Sequence, residues 1–110
     1  MSEEHLEIDV ASDQETLTLV LRGEVDAHTA PRLDGEIQAG LFTSDPAKLQ
    51  HLVLDFSGVS FLDSSGLRVV IAAHRSMRER EGSLVLRRPS PTVQRLLEIT
   101  QLTGELQIED

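Results

Sequence analysis

The sequence predicts an α/β domain: a mixed β-sheet of four to five strands covered by three or more helices. Two observations carry this. Short apolar runs of period two alternate with stretches whose apolar residues recur at helical spacing, in the order β-β-α-β-α-β-α with a last short β. Strands that alternate with single helices imply parallel neighbours, and an opening hairpin makes the sheet mixed. The length of 110 residues fits one domain, 1–110, with a single core.

Each element has its own signal. His5-Leu6-Glu7-Ile8-Asp9-Val10 alternates polar and apolar, a half-buried strand suited to a sheet edge. Ser12-Asp13-Gln14-Glu15 is a polar turn, and Thr16 to Arg22 sets Leu17, Leu19 and Leu21 on one face of a second strand that Gly23 is expected to end. After a loop, Asp26 or Thr29 is placed to cap a helix with Pro31 in its first turn and Leu33, Ile37 and Leu41 as its stripe. Gly35 inside that helix costs about 1 kcal/mol relative to Ala, so the helix depends on its packing. His51 to Phe56 is nearly continuous in apolar residues, the pattern of a central strand covered on both faces. Ser57 to Leu62 leads into a second helix, with Leu67, Val70, Ile71 and His74 on one face, widened by Val69, Ala72 and Ala73, and arginines before Gly82. Ser83 to Arg87 is a short strand. Ser90 caps a last helix with Pro91 at its first position and Val93, Leu96, Leu97 and Thr100 as its face. Gly104 closes it, and Glu105 to Ile108 forms a final edge strand.

Composition narrows function. With 10 Lys plus Arg against 19 Asp plus Glu, the net charge is −9. That opposes non-specific binding to nucleic acid or anionic membranes. The three aromatic residues are all Phe, which leaves no stacking platform for bases. The chain has no Cys, so disulfides, thiolate metal sites and Cys nucleophiles are excluded. No run reaches the ~18 apolar residues of a membrane span, and the acidic Met1-Ser2-Glu3-Glu4 start lacks a signal-peptide pattern, so the expected compartment is the cytoplasm. No acid or His pair has metal-ligand spacing, and no metal or cofactor is expected. The even 23-residue spacing of His5, His28, His51 and His74 has no shared surroundings and is coincidence. Gly58-Val59-Ser60-Phe61-Leu62 starts like a nucleophile elbow but has Leu62 where Gly is needed. No catalytic residue is assigned, and the chain reads as a non-enzyme.

The informative stretch is Asp63-Ser64-Ser65-Gly66-Leu67, between a buried strand and a helix start. One reading is a redundant cap, with Gly66 easing the turn. The other starts from that redundancy: one hydroxyl suffices to cap, and the second is free to accept a phosphate beside Asp63.

This stretch, preceded by Phe61-Leu62, resembles the phosphorylation motif of the bacterial anti-sigma factor antagonists, which are single STAS domains. Gly23-Glu24-Val25-Asp26 with Ala27-His28-Thr29-Ala30, Leu52 to Asp55 with Val59-Ser60-Phe61, and Pro91 to Leu97 with Leu102-Thr103-Gly104 are similar to other segments of that family. The resemblance implies a STAS fold and a partner switch. The unmodified protein would bind an anti-sigma factor that is also a histidine-kinase-like ATPase and serine kinase, and so release a sigma factor. Phosphorylation of Ser64 would end the contact, and a metal-dependent serine phosphatase would restore it. Asp26 matches an acidic position facing the acceptor. Asp63, Ser65, Gly66, Leu67 and Arg68 complete the implied switch surface, with Ser65 as cap or neighbouring contact. The alternative within the fold is a STAS scaffold subunit of a stress-sensing or lipid-transport complex. Neither reading involves nucleic acid or membrane insertion.

Overall fold

A computed structural model describes residues 5–99 and 106–109. The expectations for Thr100, the Leu102-Thr103-Gly104 stop and Glu105 lie outside the described residues. The elements are β1 (Leu6–Ser12), β2 (Thr16–Val25), α1 (Ala30–Thr43), β3 (His51–Leu62), α2 (Ser64–Glu79), β4 (Ser83–Arg87), α3 (Pro91–Ile99) and β5 (Gln107–Glu109). They form a five-stranded sheet in the order β1-β2-β3-β4-β5, with β1 antiparallel to β2 and the remaining neighbours parallel. The mixed sheet and its three described helices are those expected.

Period-two alternation decides which face is buried. Leu17, Leu19 and Leu21 of β2, Leu52, Leu54 and Phe56 of β3, and Leu84 and Leu86 of β4 lie in one core cluster. Leu33 and Ile37 of α1, Val70 and Met77 of α2, and Val93 and Leu97 of α3 join it, so all three helices serve the same face. Fully burying a Leu contributes about 1.5–3 kcal/mol, which makes this face the main stabilising contact. On the other face Thr16, Thr18, Val20 and Val85 are only half-buried. The expectation that β3 is covered on both faces holds for Leu52 to Phe56, all of them buried, although the described helices lie on one face only. Val53 is buried on the second face between Thr18 and Val85 of the flanking strands, and Asp55 lies under Arg88.

Both long strands extend further than expected. Gly23 does not end β2; it adopts φ +118° and the strand runs on to Val25. A Cβ at Gly23 would lie 2.0 Å from the His5 carbonyl oxygen, so only Gly fits where β1 crosses closely. Ser57 to Leu62 is part of β3, not a lead-in. Val20 pairs with Asp55 but Arg22 with Gly58, and Gly23 with Val59 but Glu24 with Phe61. Each shift inserts one extra β3 residue, and such bulges bend a strand without ending it.

The face of α2 is also shifted. Gly66, Leu67, Val70, Ala73 and Met77 are its buried residues, while Ala72 is exposed and Val69 and Ile71 flank the core. Over 16 residues a face drifts, and Met77 closes it rather than Ala72. Ser90 caps α3 as expected: its Oγ accepts the Val93 N–H at 3.3 Å.

Candidate functional site at the head of helix α2

The site is built where β2 and β3 end together. The Asp63 N–H donates to the Val25 carbonyl at 3.2 Å, which ties the start of α2 to the end of β2. Asp63 then takes the cap position. Its Oδ1 accepts the backbone N–H of Ser65 at 2.8 Å and of Gly66 at 3.2 Å. Of the three successive residues able to cap, Asp63, Ser64 and Ser65, it is Asp63 that takes the position, and neither serine hydroxyl is used. The carboxylate, one position earlier, already satisfies two of the first free N–H groups.

Ser64 is the first residue of α2 and is exposed. Among the described residues its hydroxyl has no hydrogen bond, so it serves no structural bond that a modification would break. Ser65 is half-buried and turned toward a groove of about 490 Å³ between α1 and α2, lined also by Ala27, Ala30, Pro31, Arg68 and Val69. Gly66 and Leu67 are buried. Gly66 does not ease a turn. A Cβ there would lie 2.4 Å from Leu62 Cδ1 and 2.6 Å from Val25 Cγ1, so its absence lets the helix start sit directly on both strand ends. Leu67 anchors that first turn in the core. Arg68 is exposed one turn on from Ser64.

Asp26 holds the neighbouring loop. Its Oδ1 accepts the N–H of His28 at 2.9 Å and of Thr29 at 3.0 Å. Thr29 occupies the N-cap position of α1, yet its side chain does not cap that helix. Its buried hydroxyl donates to the Glu24 carbonyl at 2.8 Å and accepts the Asp26 N–H at 3.0 Å. The Thr29 backbone N–H, supported by the His28 N–H and the Thr29 hydroxyl against the opposing effect of burial, keeps the Asp26 carboxyl below the usual carboxylate range. Asp26 therefore stays charged beside the helix head, but its carboxylate is engaged by its own loop. Phe61, which the resemblance includes but to which no site role is assigned from the sequence, also belongs to this rim. It is 45% exposed, an apolar ring near the end of β3. The bulge turns Phe61 out between buried Val59 and Leu62, and no sequence pattern marks that bulge.

Among the described residues no helix is long and apolar enough to cross a membrane, and no cluster of His, Asp and Glu could hold a metal ion.

Comparisons with known proteins agree with this architecture. The family model for the STAS domain matches residues 7–110. An anti-sigma-B factor antagonist of Listeria monocytogenes is 34% identical over 98 residues, covering 89% of this chain and 82% of the relative. The solved structure of the anti-sigma factor antagonist SpoIIAA in its unphosphorylated form superposes with a TM-score of 0.80 at 25% identity, over 94% of this chain and 89% of that one. An anti-sigma factor antagonist from Mycobacterium paratuberculosis gives a TM-score of 0.79 at 28% identity, over 98% and 88% of the two chains. A match over nearly the whole length, on the same order of strands and helices, places this chain in the STAS domain family.

Proposed function

We propose that the chain is an anti-sigma factor antagonist whose docking is switched at Ser64. In this reading it is a regulator, not an enzyme. Its unmodified form binds an anti-sigma factor carrying a histidine-kinase-like ATPase and serine kinase domain, and the sigma factor is released. The γ-phosphoryl group of ATP passes to Ser64 Oγ, the hydroxyl proton leaves to a base of the kinase, and ADP departs. A serine phosphatase hydrolyses the ester and returns the free hydroxyl. The reading is supported by the names of the three relatives compared above, each an antagonist matched over most of its length. The single observation that carries it is the exposed Ser64 hydroxyl beside a cap already made by Asp63.

The chemistry suffices for a switch. A phosphate adds about 1.5–2 negative charges at pH 7. Each unit facing a partner carboxylate ~6 Å away opposes docking by roughly 3 kcal/mol at an effective dielectric of 20. About 1.4 kcal/mol is a tenfold loss of affinity. The helix and sheet need not rearrange for this to act.

The test is incubation with the cognate kinase and ATP, followed by mapping of the product by mass spectrometry. Phosphate on Ser64, absent in Ser64→Ala, is the expected result; an unmodified Ser64 under saturating kinase refutes the assignment. Ser64→Asp should weaken the complex at least tenfold with an unchanged circular dichroism spectrum.

A further inference from the structure

We propose that Arg68 is the residue that holds a phosphate on Ser64, in place of the helix N-terminus. The inference rests on the reading of Ser64 as the acceptor.

A helix start ordinarily offers an anion its free first-turn N–H groups. Here those that follow Ser64 are occupied. Asp63 Oδ1 accepts those of Ser65 and Gly66, and the Leu67 N–H donates to the Asp63 carbonyl at 2.9 Å. A phosphate on Ser64 meets a carboxylate next to it instead of those donors. Something else must balance its charge.

Arg68 lies four residues along α2, on the same side of the helix. Such a pair is about 5–6 Å apart at Cβ, within reach of a guanidinium, and the anion-before-cation order is the favourable one. Arg68 is exposed and has no ion pair among the described residues, whereas Arg22, Arg87 and Arg88 are engaged by Asp9, Glu109 and Asp55. On its own helix nothing competes before Glu79, and Asp34 of α1, the carboxylate that lines the same groove, forms no ion pair with Arg68. The planar guanidinium fork matches two phosphate oxygens at once. Arg68 also lines the groove between α1 and α2, so one side chain links the acceptor to that groove. Phosphorylation then does two things to the docking face: it adds negative charge and withdraws a cation.

The test uses the full chain with phosphoserine installed at position 64 by genetic encoding, so that no kinase is needed. The second ionisation of the phosphate is followed by 31P NMR at low salt, where an unperturbed phosphoserine titrates near pH ~6. The midpoint should rise by about 0.2–0.4 unit in Arg68→Gln, with Arg68→Lys falling between. Arg75→Gln, the same charge change two turns further along, should leave the midpoint in place, and 1 M NaCl should erase the difference. Superimposable curves for the unaltered protein and Arg68→Gln, or an equal shift in Arg75→Gln, overturn the proposal. Failure of a kinase to modify Ser64 would count against the acceptor reading alone and leave this titration as it stands.

Discussion

Replacing Asp63 by Ala should separate the cap from the acceptor. Asp63 accepts two backbone N–H groups of the first turn of α2, at 2.8 and 3.2 Å, in a partly buried setting. Losing an Asp cap costs about 1 kcal/mol in most contexts and up to ~2 where the site is packed. The Gly66 N–H becomes difficult to satisfy, because it sits against Leu62 and Val25 rather than in open water. A loss of about 1–2 kcal/mol is expected, or a drop in Tm of roughly 4–8 °C per kcal/mol for a domain near this size. Ser64→Ala removes an exposed hydroxyl with no hydrogen bond and should change stability by less than about 0.5 kcal/mol. Asp63→Asn should stay close to the unaltered protein, since Asn caps as well as Asp. Urea unfolding followed by circular dichroism at 222 nm reads all three as midpoints at a common slope. The reasoning fails if Ser64→Ala is as costly as Asp63→Ala, for then the serine is part of the helix terminus and not a free acceptor.

Two further outcomes follow from the same geometry. Gly66→Ala places a methyl 2.4 Å from Leu62 Cδ1 and 3.1 Å from the Val25 carbonyl oxygen; overpacking outweighs the better helix propensity of Ala, and a net loss of about 1–2 kcal/mol should appear in the same urea assay. For Asp55, burial raises the carboxyl, but the Ser57 N–H and hydroxyl and the Arg88 guanidinium at 2.6 Å outweigh it and hold the group below the usual range. Its folded value thus lies below its unfolded value, so its stabilisation is present above about pH 4 and is lost as pH falls through the folded value. Urea midpoints of the unaltered protein should fall steeply below about pH 4, and Asp55→Asn should flatten part of that fall; parallel pH curves for the two would refute the assignment.

Most of the fold was legible because the core obeys simple periods. Leu17, Leu19 and Leu21, and Leu33, Ile37 and Leu41, announce a strand and a helix without any knowledge of partners. What escaped was set by partners. Gly23 read as a strand end and Ser57 to Leu62 as a lead-in, yet both lie within paired strands: Gly23 is needed because β1 crosses it, Gly58 because a Cβ would press on Arg22 and the Leu21 carbonyl. The acceptor stretch was legible as a helix start, but three successive good caps left open which residue caps. Only the backbone bond from Asp63 to Val25, a contact 38 positions away in sequence, fixes the register that gives the cap to Asp63 and frees Ser64. The burial of Gly66 and Leu67 follows from the same contact.

The sheet has one helix-free side among the described residues, and a bare sheet usually attracts a second one. Here its surface is laced by opposite charges bonded across strands: Arg22 with Asp9, Arg87 with Glu109, and Asp55 with Arg88. Drying such pairs to lay another molecule over them would strip hydration worth several kcal/mol per ion. Covering that side is therefore more costly than covering the helical flank and its rim. The protein thus has a back as well as a front, and the back is what keeps the front available.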